Sequence, residues 1–215
     1  MRDLELAGAA VDLEASNAEE VLRYGVERFH PRLAMACSFQ KEESVLLDML
    51  LAIEPAVRIF TLDTHAQFPE VYETWRAFED RWGVAIEVFD VEDPTGAAWS
   101  AEHCCTDRKL AVLGEALAGA EAWITGLRRE QSPTRQQARK LERDERNGLW
   151  KLSPLADWGE RELWRYIHEH ELPYNELHDR GYASIGCAPC TLPGGGREGR
   201  WAGSEKTECG LHGEG

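Results

Sequence analysis

Apolar positions along the chain switch between two periods, and the switching predicts its elements. Residues 18–29, AEEVLRYGVERF, place apolar side chains at helical spacing behind Ser16 and Asn17, two residue types suited to capping a helix. The short run LAMAC (33–37) predicts a buried strand, and EESVLLDMLLAI (42–53) a second helix. VRIFTLD (57–63) predicts another strand, PEVYETWRAFEDRW (69–82) a helix with proline in its first turn, and VAIEVFD (84–90) a third strand. CCTDRKLAVLGEAL (104–117) predicts a helix, AWITG (122–126) a fourth strand, LWKLSPL (149–155) a fifth strand or extended segment, and ERELWRYIHEH (160–170) an amphipathic helix. Alternation of this kind predicts an α/β fold, a parallel twisted sheet with helices on both faces and ligands at the carboxyl ends of its strands. After Pro173 the periodicity stops, and the Gly-rich stretch from GYASIGCAPC onward predicts a mobile, functional loop. No internal repeat is visible.

Composition narrows the class. A chain of 215 residues with 43% apolar content can bury one full-sized core. No stretch approaches the roughly 18 consecutive apolar residues of a membrane span, and acids interrupt the N-terminal MRDLELAGAAVDLEAS, so a cytoplasmic protein is expected. Thiols in that compartment stay reduced, which makes six cysteines better suited to metal binding or catalysis than to disulfides. A formal charge of −15 argues against a general nucleic-acid binder. The exception to that acidity is the segment 128–146, where seven basic residues (Arg128, Arg129, Arg135, Arg139, Lys140, Arg143, Arg146) face four acids. It suits either a small-anion site or a solvated face laced with ion pairs.

Candidate chemistry gathers at the predicted strand ends. CSFQKEES follows the first strand and leads into a helix, where free amides suit a phosphate or sulfate; Ser38 as a simple cap is the alternative. In LDTHAQFP, Asp63 and Thr64 are placed either to hold a nucleotide's sugar or base or to shape the turn. ITGLRREQSPTRQ puts arginines behind a turn at Gly126, the stronger anion signal.

The cysteines fall into a tandem pair (Cys104, Cys105), a C-x-x-C pair (Cys187, Cys190), a late Cys209 and Cys37 at the close of a strand. Four of them suggest a metal site. Zinc needs its sulfurs to converge on one ion, whereas adjacent helical side chains diverge by about 100°. An iron–sulfur cube relaxes that demand, because each thiolate takes a different iron. The tandem spacing therefore favours a cluster over zinc. Lys109, four residues past Cys105, lies one helical turn on and either offsets the cluster's thiolate charge or is an ordinary surface lysine.

The segments SFQKEESVL, LDT, CC with the following RK, ITGLRREQSPTR, KLSPLADW, LPYNELHDRGYASIGCAPC, REGRW and KTECGLH occur in this order, and through them nearly the whole chain resembles the assimilatory adenylyl-sulfate (APS) reductases of bacteria and plants. The resemblance implies an adenine nucleotide hydrolase-like fold of the PP-loop type and a 4Fe–4S cluster on Cys104, Cys105, Cys187 and Cys190. It implies Cys209 as the nucleophile that forms an S-sulfocysteine, with thioredoxin or a similar dithiol protein supplying electrons. Lys109 matches the cluster-adjacent lysine of that family, and Arg197, Arg200 and His212 match its substrate-facing residues. With Ser38, Asp63, Thr64, Gly126, Arg128, Arg129 and Arg135 these complete the expected substrate site. The expected organisation is one α/β nucleotide-binding domain over 1–190 that carries the cluster, followed by a flexible tail, 191–215, that carries the catalytic cysteine. His65 departs from the family, which commonly has glycine after LDT, and LPGGGREGRW is a shortened version of the family loop.

Two other functions compete. Phosphoadenylyl-sulfate (PAPS) reductases share the fold and the terminal ECG-H signature but lack the four cluster cysteines; the cysteines here favour APS, with dual use left open. An RNA-thiolating relative would carry an SGG-DS loop for ATP and a basic surface, and this chain has CSFQKEES and a charge of −15. The cluster's role, structural or electrostatic, is left open, since both electrons of the reaction come from thiols.

Overall fold

The computed structural model describes residues 2–91 and 107–201. It contains helices α1 (Arg2–Asp12), α2 (Ala18–Phe29), α3 (Lys41–Ile53), α4 (Pro69–Trp82), α5 (Asp107–Ala116) and α6 (Glu160–Glu169), and strands β1 (Leu33–Ala36), β2 (Arg58–Asp63), β3 (Glu87–Asp90), β4 (Ala122–Ile124), β5 (Leu141–Asp144) and β6 (Leu149–Leu152). The strands form one sheet in the order β3-β2-β1-β4-β6-β5. Every pairing is parallel except β5 with β6, so the expected parallel sheet gains an antiparallel edge.

Local chemistry sets the helix ends. At α2 the Asn17 carboxamide oxygen accepts from the Glu20 amide at 3.0 Å while Glu20 accepts from the Asn17 amide at 2.8 Å, a reciprocal cap. α4 starts at Pro69, whose missing N–H costs nothing there, and stops at Gly83 in the left-handed region (φ 65°).

Side-chain alternation divides the sheet's two faces. Leu33, Met35, Ile59, Ala122 and Ile124 point into the larger core, shared with α2, α3 and α6, while Ala34, Phe60 and Trp123 pack with Leu113, Ala116 and Leu117 of α5's face. Helices therefore cover both faces. Among the described residues no helix is long and apolar enough to cross a membrane.

Two elements go beyond the sequence pattern. Leu6, Ala10 and Leu13 bury one stripe of α1 and of the turn after it, although acids interleave with that stripe in the sequence. β5 and β6 form a hairpin closed by Gly148 at φ 68°, with the Asn147 carboxamide donating to Asp144 at 2.7 Å. The Asn147–Gly148 pair is the signal for that hairpin, and the charged sequence of β5 hides it.

The loop after Pro173 is also more ordered than its composition predicts. Up to residue 201 it is built from short 3₁₀ turns and single bridges, Tyr182 to Gly194 and Thr191 to Arg200, with Thr191 and Trp201 buried.

Candidate functional site

Between β1 and β4 the chain direction around the sheet reverses, since β1 connects forward to β2 on one side and pairs with β4 on the other. Such a reversal opens a crevice beyond the carboxyl ends of the strands. Two joined bays occupy it, both lined by Ser38, Glu43, Gln67, Lys109 and Thr125. The first, open to solvent, spans about 580 Å³ and adds a largely apolar wall of Phe60, Leu62, Leu113 and Trp123. The second, about 770 Å³, adds the turn at Gly126 and the cations Arg135, Arg197 and Arg200, with Cys187 at its edge. One bay thus suits a flat, weakly polar ring, and the other an anion.

The turn leading into α3 forms the shared wall. Phe39 holds a left-handed backbone (φ 59°), uncommon for a bulky residue, and is fixed there by stacking on Trp75 at 5.1 Å. The Glu43 carboxylate accepts from the Gln40 amide at 3.1 Å, so one amide expected to meet an anion is already engaged. Burial, reinforced by the adjacent Glu42, pushes the Glu43 carboxyl up to about 8, so it is protonated at neutral pH and does not repel an anion in the bay. Burial also raises the Cys37 thiol well above its ordinary range, with Glu43 adding to the effect. Cys37 is the buried strand-end thiol expected of it. Gly126 is required by close approach: a Cβ there would lie 2.7 Å from Glu42 Cβ and 2.8 Å from Glu43 Oε1.

The basic segment serves mainly as scaffold. Arg128 is buried and donates to Glu42 at 2.9 Å, to Glu160 at 2.8 Å and to the Trp158 carbonyl at 3.2 Å. Burial alone would raise Glu42, but Arg128 and Lys41 outweigh it and hold the carboxyl below the usual range. Arg129 pairs with Glu14 at 2.6 Å and donates to the Ala138 carbonyl at 2.8 Å. The fully buried Lys140 is bound to Asp157 at 2.6 Å and to the Ser16 carbonyl at 2.5 Å. Of the five arginines expected at the anion, Arg135, Arg197 and Arg200 line the bays. Arg128 and Arg129 do not, because carboxylates already hold their guanidinium groups.

Asp63 and Thr64 are likewise occupied. Asp63 accepts from the His65 amide at 2.8 Å and the Tyr72 hydroxyl at 3.0 Å, which shapes the turn after β2, and the ring of His65 reaches Asp90 at 2.9 Å. His65 takes a left-handed backbone (φ 52°), the conformation that glycine adopts most readily. Thr64 Oγ1 lies 3.2 Å from Cys187 Sγ, so it belongs to the cysteine turn rather than to either bay.

Cys187 and Cys190 lie at the start and end of one short turn through Pro189, and both are buried. The Ala188 amide ties that turn to the loop after β2 through the Ala66 carbonyl at 2.7 Å, and the Trp201 amide ties it to the following loop through the Cys190 carbonyl at 2.7 Å. Among the described residues no group of three or more His, Cys, Asp or Glu side chains is arranged to hold a metal ion. Cys104, Cys105, Cys209 and His212 lie outside the described residues. Arg200 completes the basic bay. It donates to the Ile185 carbonyl at 3.0 Å and Ser184 Oγ at 3.3 Å, while its buried Nε has no hydrogen-bond partner among the described residues.

Sequence reasoning missed Glu43, Gln67 and Thr125 as wall residues. Glu43 is signalled only by its position three residues after the capping Gln40.

Comparison with known proteins agrees with this geometry. A protein from Lysinibacillus sphaericus called adenosine 5'-phosphosulfate reductase is 42% identical over 217 residues, covering 94% of this chain and 93% of its own. The crystal structure of phosphoadenylyl-sulfate reductase from Candida auris, a phosphate complex, superposes with a TM-score of 0.74 at 26% identity over 87% of this chain and 96% of that one. The Candida glabrata FMN adenylyltransferase in complex with FAD and inorganic pyrophosphate shares the fold alone, at 15% identity and a TM-score of 0.63 over 82% of this chain and 63% of that one. The phosphoadenosine phosphosulfate reductase domain matches residues 32–193, the span from β1 through the C-x-x-C turn, which supplies the walls of both bays apart from Arg197 and Arg200, and the chain belongs to that family.

Proposed function

We propose that the protein reduces adenylyl sulfate to sulfite and AMP in sulfate assimilation, with electrons from a thioredoxin-type dithiol protein. The observation that carries this reading is the joined pair of bays, one apolar and one lined by Lys109, Arg135, Arg197 and Arg200, with a buried C-x-x-C cysteine at the edge of the basic one. An adenosine fits the apolar bay and a phosphosulfate the basic one. Relatives that are 42% identical over most of the chain carry the name adenosine 5'-phosphosulfate reductase, which favours this substrate.

Cys187 and Cys190 suit two corners of a 4Fe–4S cluster, being buried thiols on one tight turn. Lys109, on the first turn of α5, lines the same bay as Cys187, and Cys104 and Cys105 stand just ahead of that helix in sequence. We assign those four cysteines as ligands. When bound, the cluster supplies an iron–sulfide centre whose charge acts on the adjoining bay. Lys109 offsets thiolate charge there, and Thr64 contacts the Cys187 sulfur.

In this reading the Cys209 thiolate attacks the sulfur of the sulfuryl group. The sulfur–oxygen bond to phosphate breaks, AMP leaves, and an S-sulfocysteine remains. Arg135, Arg197, Arg200 and His212 neutralise charge on the anion as it transfers. A thiol of the donor then attacks Cys209 sulfur and sulfite departs with the bonding pair. The donor's second thiol resolves the mixed disulfide, so its two thiols supply both electrons.

Incubation with adenylyl sulfate and no reductant tests this. One sulfonate should appear on the peptide containing Cys209 and one AMP should be released, and Cys209→Ser should abolish both while keeping the visible absorbance of the proposed iron–sulfur cluster. A sulfonate on Cys37, or sulfite formation by the Ser variant at the parent rate, would overturn it. A second reading, use of PAPS, is favoured by the match to the Candida auris enzyme. Comparison of kcat/KM for the two nucleotides decides between single and dual use.

A further inference from the structure

Trp201 joins two parts of the site that are separate in the fold. Its side chain is 4% exposed, although nothing in the Gly-rich loop around it predicts a buried aromatic. Its backbone is left-handed (φ 55°), a costly conformation for a bulky residue that persists only where the surroundings hold it. One restraint is the Trp201 amide, which donates to the Cys190 carbonyl at 2.7 Å. Others are the bridge between Thr191 and Arg200, and the Leu192 amide bond to the Gly199 carbonyl at 2.8 Å.

The indole carries both loop arginines of the basic bay. The Arg200 guanidinium lies 4.6 Å from its ring centroid and that of Arg197 5.4 Å. Two guanidinium groups gathered on one side of a bay repel each other, and an indole face is a strong cation acceptor that offsets this repulsion without supplying a competing anion. A carboxylate in the same place would neutralise the arginines, as Glu42 and Glu160 do for Arg128. Arg200 is further set by Gly186, where any added side chain would strike its guanidinium.

We propose that Trp201 is a positioning residue for anion recognition: its ring holds Arg197 and Arg200 on the wall of the basic bay, and its backbone pins that arginine platform to the C-x-x-C turn. The inference rests on the reading that the basic bay takes the phosphosulfate of adenylyl sulfate. A plain filler role is the competing explanation, and it makes a different prediction. Phe and Leu have similar volumes, but only Phe offers a ring face to the arginines. A filler would lose affinity for every part of the substrate alike, whereas a platform affects only the anionic part.

The test uses the full-length protein with its metal centre, in a Cys209→Ser background so that bound adenylyl sulfate is not consumed. Equilibrium titration compares adenylyl sulfate with adenosine, which lacks the anion. Trp201→Leu should weaken adenylyl sulfate at least tenfold and adenosine less than twofold, and Trp201→Phe should keep adenylyl sulfate within about threefold of the parent. Trp201→Met provides a second ringless variant, judged by the same ratio, should the Leu protein not fold. The proposal is overturned if a ringless variant binds adenylyl sulfate as the parent does, if adenosine affinity falls in parallel, or if Phe is as damaging as Leu. If the parent itself binds adenylyl sulfate no better than adenosine, the functional reading fails instead, and the two failures are distinct.

Discussion

Replacing Glu43 by Gln should change how stability depends on pH. The carboxyl is buried against Glu42 and ionises at about 8, whereas in an unfolded chain it ionises near its ordinary 4.5. Between those values the unfolded chain has released a proton that the folded protein keeps, so folding costs more as pH rises through this window and the loss levels off above about 8. At about 1.4 kcal/mol per pH unit, the full displacement is worth about 5 kcal/mol. For a domain of this size that corresponds to a Tm difference of about 10–20 °C. Gln keeps the shape and accepts from the Gln40 amide as Glu does, but has no proton to lose. Thermal unfolding of both proteins, followed by near-UV circular dichroism from pH 5 to 8.5, should show the Gln variant gaining on the parent steadily as pH rises. Groups that titrate independently of position 43, such as His178, whose burial lowers its pKa, contribute equally to both curves and cancel. Parallel curves would refute the argument, because they would mean that Glu43 is ionised in the folded protein at neutral pH.

Two further substitutions separate scaffold from site. Arg128→Ala leaves Glu42 buried without its main partner and should cost about 3–5 kcal/mol of stability, whereas Arg135→Ala removes a cation from the wall of the basic bay and should raise KM for adenylyl sulfate about tenfold or more; unfolding midpoints check the first and steady-state rates the second. Gly126→Ala forces a Cβ to within 2.7 Å of Glu42 Cβ, which must push the start of α3 away from β4, and should cost about 1–3 kcal/mol together with weaker nucleotide binding, read by thermal shift and by titration with AMP.

The order of elements was legible in the sequence because burial against a two-sided sheet writes a period into the chain. α2 and α4 occupy the ranges that their apolar spacing, caps and proline predict. The same reasoning located the crevice, since strand and helix alternation implies which strand ends face a ligand, and Ser38, Gly126 and Arg135 line it, together with Arg197 and Arg200, which only the family resemblance had implied. The C-x-x-C turn was visible as spacing alone. What composition could not reveal was the partner of each charge. Arg128 and Arg135 are seven residues apart in one basic run, yet the first is held by Glu42 of α3 and Glu160 of α6 while the second lines the bay. The carboxylates that hold Arg128 lie far away in sequence, on α3 and α6, so only the fold brings them within about 3 Å. The hairpin strand β5 escaped notice because an edge strand next to solvent tolerates charges that erase its period. Glu43 gave no sign of being protonated, since only burial beside Glu42 makes its charge costly. Likewise a tryptophan in a glycine-rich loop becomes a platform for two arginines only once the loop folds back on the cysteine turn. Local sequence determined the periodic elements, and long-range contact decided the ionisation, pairing and aim of the side chains within them.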